Sequence, residues 1–175
     1  MEKLLETNRL IIRRFQEVDW KDLHEYLSDE EVVFWEPYGV YTEEESKKEA
    51  VGRANSDIFW AVCLKDSNKV IGNLSFQKQD FDTYEIGYVF NKKYQKQGFA
   101  TESAKAIINY AIKELNARRI IAMCSPKNDS SWKLLERLKM RREGHLLQNV
   151  YFKTDERNKP IWLDTYEYAI LASEM

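Results

Sequence analysis

Residues 84–124 read as a strand, a glycine-led helix and a second strand. A strand–helix–strand connection that returns to the same sheet is a right-handed crossover, so its two strands run parallel. Upstream, residues 58–64, 70–77 and 84–90 are three strand-like runs. They are joined by Lys65-Asp66-Ser67-Asn68 and by the polar residues 78–82, links that suit hairpins and make an antiparallel meander. A chain with both features builds a mixed sheet, in which an antiparallel meander hands over to a parallel pair.

The flanks extend that sheet and cover it. Residues 10–15 (LIIRRF) read as a first strand. Trp20, Leu23 and Leu27 recur at helical spacing within residues 19–27. Thr42-Glu43-Glu44-Glu45 is a capping box opening a second helix toward Asn55. In the glycine-led helix, Ala100, Ala104, Ile107, Ile108, Ala111 and Leu115 fall on one face. A strand at 119–124, a short helix at 130–138 and strands at 141–152 and 162–171 follow. Residues 153–159 (KTDERNK) read as the mobile loop. The expected fold class is α/β (α+β), one domain over residues 1–175. It has six to seven strands, mostly antiparallel with one parallel pair, and about four helices.

Composition narrows the function classes. The 175 residues are 43% hydrophobic and 32% charged, enough for a real core in a globular protein. Net charge is −2, from 27 basic and 29 acidic residues, so nothing global calls for nucleic acid. No apolar run reaches the length of a membrane span. The start, MEKLLETNRLIIRRF, mixes acids with apolar residues and lacks a small-residue cleavage site. A cytoplasmic protein that binds neither nucleic acid nor membrane is expected, as a monomer or a homodimer. Cys63 and Cys124 sit in apolar strand-like runs and read as buried thiols. No C-x-x-C or His/Cys ligand spacing is present, so no metal is expected. His24 and His145 read as surface residues.

Gly98 stands where the helix should begin, although glycine is a poor helix former. A helix N-terminus has unpaired N–H groups and a partial positive charge. With no side chain at Gly98, a phosphate can approach those groups. Gln95, Lys96 and Gln97 add side-chain donors. The stretch is neither a P-loop nor the three-glycine dinucleotide fingerprint. A plain loop-to-helix turn is the other reading.

Gln95-x-x-Gly98-x-Ala100 resembles the Q/R-x-x-G-x-G/A motif of the GNAT N-acetyltransferases. Residues 128–140, NDSSWKLLERLKM, resemble that family's N-x-x-S-x-x-x-L-E-K-L-G-F block. The opening Thr7-Asn8-Arg9-Leu10-Ile11-Ile12-Arg13 and the ending DTYEYAIL at 164–171 resemble the branch that acetylates ribosomal-protein N-termini (RimJ/RimL-like). The four blocks match in order and spacing over nearly the whole chain. Three positions depart: Lys139-Met140 replaces Gly-Phe, Gln95 stands where arginine is common, and Leu135 replaces a tyrosine many relatives carry.

The resemblance implies the GNAT fold, in which the parallel strands splay apart, and acetyl-CoA as donor to an amine acceptor. It places the pyrophosphate on backbone amides of Gln97, Gly98, Phe99, Ala100 and Thr101, beside Gln95 and Lys96. The pantetheine arm runs along the Tyr88-Val89-Phe90 edge. Asn128 touches the pantetheine, caps the next helix, or does both. Glu85 is either the carboxylate that takes the amine's proton, through a water, or a partner in a surface ion pair. Ser131 is one candidate to protonate the leaving thiolate, and Tyr168 and Tyr166 are rivals. In residues 28–41 the aromatics Phe34, Trp35, Tyr38 and Tyr41 stand beside Glu30, Glu31 and Glu36. Trp35 and Tyr38 either shape an acceptor pocket or belong to the core. The implied acceptor is a protein or peptide N-terminus, with a small-molecule amine as the alternative and a non-catalytic acyl-CoA sensor as the rival class.

Overall fold

The structure, a computed structural model, describes residues 4–175. The elements in chain order are β1 (Leu5–Glu6), β2 (Leu10–Arg14), α1 (Trp20–Leu27), α2 (Glu43–Ala54), β3 (Phe59–Leu64), β4 (Val70–Lys78) and β5 (Thr83–Phe90). Then come α3 (Phe99–Glu114), β6 (Arg119–Cys124), α4 (Asp129–Arg137), β7 (Arg141–Thr154) and β8 (Pro160–Leu171). All strands join one eight-stranded sheet in the order β1-β2-β3-β4-β5-β6-β8-β7. The sheet has one strand more than the upper expectation, because the two-residue β1 pairs with β2 through Leu5↔Ile12 and Glu6↔Ile11.

The hairpin links close on residues that tolerate a left-handed backbone. Asn68 has φ 57° between β3 and β4, and Asp82 has φ 51° between β4 and β5. Of residues 153–159, the first two extend β7 and 155–159 form a tight hairpin turn in which Asp155 Oδ1 accepts from the backbone nitrogens of Arg157 and Lys159, at 2.8 and 2.9 Å. The predicted capping box opens α2: Thr42 Oγ1 accepts from Glu45 N at 3.2 Å, and Thr42 N donates to Glu45 Oε2 at 2.8 Å.

Period-two alternation sends each strand's side chains to two cores. Leu10, Ile12, Trp60, Val62, Tyr84, Ile86 and Phe90 pack with Ala104, Ile107, Ile108 and Ala111 of α3 and with Leu134 and Leu135 of α4. On the opposite face Ala61, Cys63, Val70 and Val89 pack against Leu23, Tyr26 and Leu27 of α1 and Ala50 of α2. The helices therefore lie on both faces, α3 and α4 on one and α1 and α2 on the other.

The parallel pair decides where a ligand can enter. β5 and β6 pair only at Thr83↔Arg119, Tyr84↔Ile120 and Glu85↔Ile121. Beyond Glu85 the two strands separate, and residues 86–90 keep only their β4 partners. β6 meanwhile pairs along its length with β8. The separation leaves a slot between β5 and β6, roofed on one side by the start of α4.

The departure at Lys139 is absorbed. Lys139 takes φ 66°, Met140 N donates to Leu135 O at 3.0 Å, and Lys139 N donates to Glu136 O at 3.0 Å. This is a Schellman ending with lysine at the position glycine favours, at a cost of roughly 1–2 kcal/mol. Among the described residues no helix is long and apolar enough to cross a membrane.

Candidate functional site

Gly98 is the N-cap of α3, with φ 83°. The first helical hydrogen bond runs from Glu102 N to Gly98 O at 3.0 Å, so the amides just before Glu102 end the helix facing outward. A cavity of about 620 Å³ opens there. It runs from Gly98, Phe99, Ala100 and Thr101 along Tyr88, Val89 and Phe90 to Asn128 and Ser131 at the head of α4. Of the residues that the sequence assigns to the donor, only Gln97 stays off this wall.

The loop's amide side chains also bond within the loop. Gln95 Nε2 donates to Phe90 O at 2.9 Å, and Gln97 Nε2 donates to Lys93 O at 2.8 Å. Both bind the loop to itself, because two glutamines within reach of unpaired carbonyls satisfy the backbone first. The amides at the start of α3 and Lys96 remain on the cavity wall.

The chain's opening segment braces this loop from beneath. Arg9 Nε donates to Glu102 Oε2 at 2.8 Å and Arg9 Nη1 to Gln97 O at 3.1 Å. Its guanidinium lies 4.3 Å from the Phe99 ring centre. Thr7 Oγ1 donates to Glu102 Oε1 at 2.6 Å. Burial works against the Glu102 charge, but the bonds from Thr7 and Arg9 hold its carboxyl below the usual range. Arg9 is thus a positioning residue for the helix start. Arg9→Ala is expected to raise the KM for acetyl-CoA about fivefold, the equivalent of ~1 kcal/mol for a half-exposed ion pair. The KM for S-acetyl-pantetheine, which lacks the pyrophosphate, should not move. Equal losses with both donors would mean a general loosening of the fold.

A second cavity, of about 880 Å³, lies across the slot on the α1–α2 face of the sheet. Its walls come from the turn after α1 (Trp35, Tyr38), α2 (Glu49, Arg53), the β4–β5 surface (Asn73, Gln77, Gly87) and the β7–β8 hairpin (Phe152, Ile161, Leu163). Trp35, Glu36, Tyr88, Val89, Asn128 and Ser131 line both cavities. The two spaces therefore meet at one short wall, where β5, α4 and the turn after α1 come together.

That wall carries the polar chemistry. Tyr88 Oη and Ser131 Oγ are 2.8 Å apart, and Tyr88 Oη also donates to Ser131 O at 3.1 Å. Asn128 Oδ1 accepts from Ser131 N at 3.2 Å, so it caps α4 while lining the cavities. Burial raises the Tyr88 phenol above its ordinary value, against the hydrogen bond from Ser131, so it stays protonated at neutral pH. Burial also pushes the Glu36 carboxyl up, opposed by a hydrogen bond from Tyr38 and the nearby Arg53 charge. A carboxylate with a raised pKa beside a hydroxyl pair suits proton transfer.

Three expected residues sit elsewhere. Glu85 lines neither cavity. It shares a strand face with Gly87 and accepts from Gln79 Nε2 at 3.1 Å, at the point where β5 is still paired with β6. Tyr168 is fully buried, off both cavities, and its hydroxyl donates to Glu136 Oε1 at 3.1 Å. Tyr166 packs against His145, also outside the cavities. The reason is register: Tyr168 pairs with Ala122, which turns its ring into the core under α4. His24 bonds Ser46 Oγ at 2.9 Å and His145 bonds Asp164 at 3.2 Å, and neither reaches a cavity. Cys63 is buried, and burial pushes its thiol up to about 11. Cys124 is only part-buried and lines the second cavity, and burial raises its thiol too, which keeps it a poor nucleophile.

The family model for the acetyltransferase (GNAT) domain matches residues 9–141. The chain belongs to the GNAT family of acetyltransferases. It is 42% identical to the uncharacterized N-acetyltransferase YnaD of Bacillus subtilis (strain 168), over 96% of each chain. A crystal structure of a GNAT-family acetyltransferase from Bacillus anthracis superposes with TM-score 0.88 at 38% identity, covering 98% of this chain and 99% of that one. The ribosomal protein uS5 alanine N-acetyltransferase of Escherichia coli (strain K12) is 27% identical over 81% of this chain and 79% of its own. The family transfers acetyl groups from acetyl-CoA to amines, so this GNAT member is an acyl-CoA-dependent N-acetyltransferase.

Proposed function

We propose that the two cavities are the donor and acceptor halves of one site, and that the acceptor is a small molecule with a primary amine. The observation that carries this is the shared wall of Trp35, Glu36, Tyr88, Val89, Asn128 and Ser131. The pyrophosphate rests on the amides at Gly98, Phe99, Ala100 and Thr101, where unpaired N–H groups and the helix dipole favour negative charge. The pantetheine arm lies along residues 88–90, whose β6-side edge has no strand partner. The thioester then falls at Ser131.

An acceptor amine is protonated at neutral pH. Glu36, on the shared wall, takes that proton, directly or through a water. The freed nitrogen lone pair attacks the thioester carbonyl, and the C–S bond breaks with its electrons on sulfur. Ser131 Oγ gives its proton to the departing thiolate and is re-protonated by Tyr88 Oη, 2.8 Å away, which in turn takes up the second proton that the acylated nitrogen releases as the intermediate collapses, so the phenol ends neutral. Tyr88, from β5, thus replaces the α4 tyrosine that is Leu135 here, a fully buried core residue. The cavity volume of about 880 Å³ suits a compact ligand and supports the small-amine reading.

A second reading, a protein N-terminus, is favoured by the similarity to the uS5 alanine acetyltransferase. CoA release measured against a panel of small amines and of alanine- and serine-starting peptides separates the two. Small amines should give the higher kcat/KM. Turnover confined to the peptides would overturn the small-amine reading.

A further inference from the structure

The second cavity contains a cation that the transfer chemistry above does not use. Arg53 on α2 is 2% exposed and lines this cavity. Glu49, one turn earlier, takes only its Nε, at 2.7 Å. The rings of Phe59 and Phe15 lie 4.4 and 5.4 Å from the guanidinium carbon. Its Nη1 is buried with no hydrogen-bond partner. A buried donor left unmet is unfavourable, the more so on a charged group. Retaining one inside a ligand-sized cavity makes sense when a ligand supplies the acceptor. An arginine fork matches a carboxylate better than any other common organic group.

The placement of the polar groups sets the shape of that ligand. Glu36, Tyr88 and Ser131 touch both cavities, whereas Arg53 touches only the second. The reacting amine and the Arg53 partner therefore lie at different places in one cavity. Tyr38, Phe59, Phe152 and Leu163 supply apolar wall around them. Asn73, held by the Tyr26 hydroxyl at 2.9 Å, adds a fixed amide to the sheet side of that wall. Glu49 offsets part of the arginine charge but leaves the buried Nη1 without a partner, so recognition is by a directed hydrogen bond, not by net charge.

We infer that the acceptor is an amino acid or a similarly compact amino carboxylate, with its carboxylate on Arg53 Nη1 and its amine at Glu36 and Ser131. The inference rests on the small-amine reading. A peptide N-terminus presents a neutral amide where this ligand presents an anion.

Acetylation of the standard amino acids should be compared with that of their C-terminal amides, by CoA release. The best acid is expected to exceed its amide by about tenfold or more in kcat/KM, as a charge-assisted hydrogen bond predicts. Arg53→Met should erase that margin, bringing acid and amide to the same kcat/KM. Equal rates for acid and amide, as expected if an internal water satisfies Nη1, overturn the inference, as does a margin that survives Arg53→Met. Should Arg53→Met not fold, the wild-type acid–amide comparison decides alone. Calorimetry on CoA-loaded protein, with N-acetyl amino acids against their amides, reads the same subsite without turnover. Turnover of amines that lack a carboxylate, with the acids inert, defeats this inference and leaves the small-amine reading standing. No turnover of any small amine defeats that reading, and this inference falls with it.

Discussion

Glu36→Gln is expected to lower kcat by ~10²–10⁴-fold at neutral pH, with the affinity for acetyl-CoA nearly unchanged. The substitution keeps size and hydrogen bonding and removes only basicity. Glu36 is the carboxylate on the wall shared by both cavities, and burial already raises its pKa toward the range a general base needs. The wild-type kcat/KM should therefore fall on acidification at a higher pH than an ordinary carboxylate would set, because a raised pKa protonates first. In the glutamine variant the acid limb should track the amine alone. Activity should recover partly as pH rises, earlier for an α-amino acceptor (pKa about 7.7–8.0) than for a lysine-like amine (about 10.4). Glu85→Gln is the control. Glu85 lies off both cavities and bonds Gln79, so its loss should be much smaller. A larger loss at Glu85 than at Glu36 would return the base role to Glu85, acting through water along the Gln77 side of the cavity.

Gly98→Glu should weaken CoA binding by well over tenfold, about 1.4 kcal/mol or more. Three effects act in the same direction. A φ of 83° strains any residue with a Cβ. The new carboxylate stands where phosphate charge is expected, at a helix N-terminus that favours anions. The new carboxylate would also compete with Glu102 for Arg9, whose Nη2 lies 3.4 Å from where a Cβ would stand. Gly98→Asn separates these contributions, since asparagine tolerates the left-handed backbone and carries no charge. Its loss should be markedly smaller. Calorimetry showing unchanged CoA affinity in folded Gly98→Glu would remove the pyrophosphate from this turn.

Much of the cavity at Gly98 was legible because it is local. Gly98, the helix that follows it and the Asn128 cap lie within short stretches whose backbone needs are written in residue types. Even there, the glutamine side chains have partners that the sequence did not show. Gln95 and Gln97 look like ligand donors in a list of residues, but carbonyls of Phe90 and Lys93 come within reach only once the loop folds. Tyr168 was misplaced for a similar reason. Its residue type suits proton transfer, but strand register decides which way it points.

The second cavity was mostly hidden. Glu36 stood among four acids in one aromatic segment, with no signal to separate it from Asp29, Glu30 and Glu31. Glu49 and Arg53, four apart on a predicted helix, look like an ordinary solvent-facing ion pair. Burial under Phe15 and Phe59 turns that pair into the floor of a cavity.

Hydrophobic periodicity, short links and capping residues determined by themselves the mixed sheet, the crossover and four helices, because each depends on neighbours a few positions away in the chain. The tertiary structure alone decided where β5 and β6 part, which phenol meets Ser131 from 43 positions away, and which buried arginine keeps an unmet donor. Those outcomes depend on how whole elements dock, and docking balances packing against desolvation over surfaces that no local stretch of sequence contains.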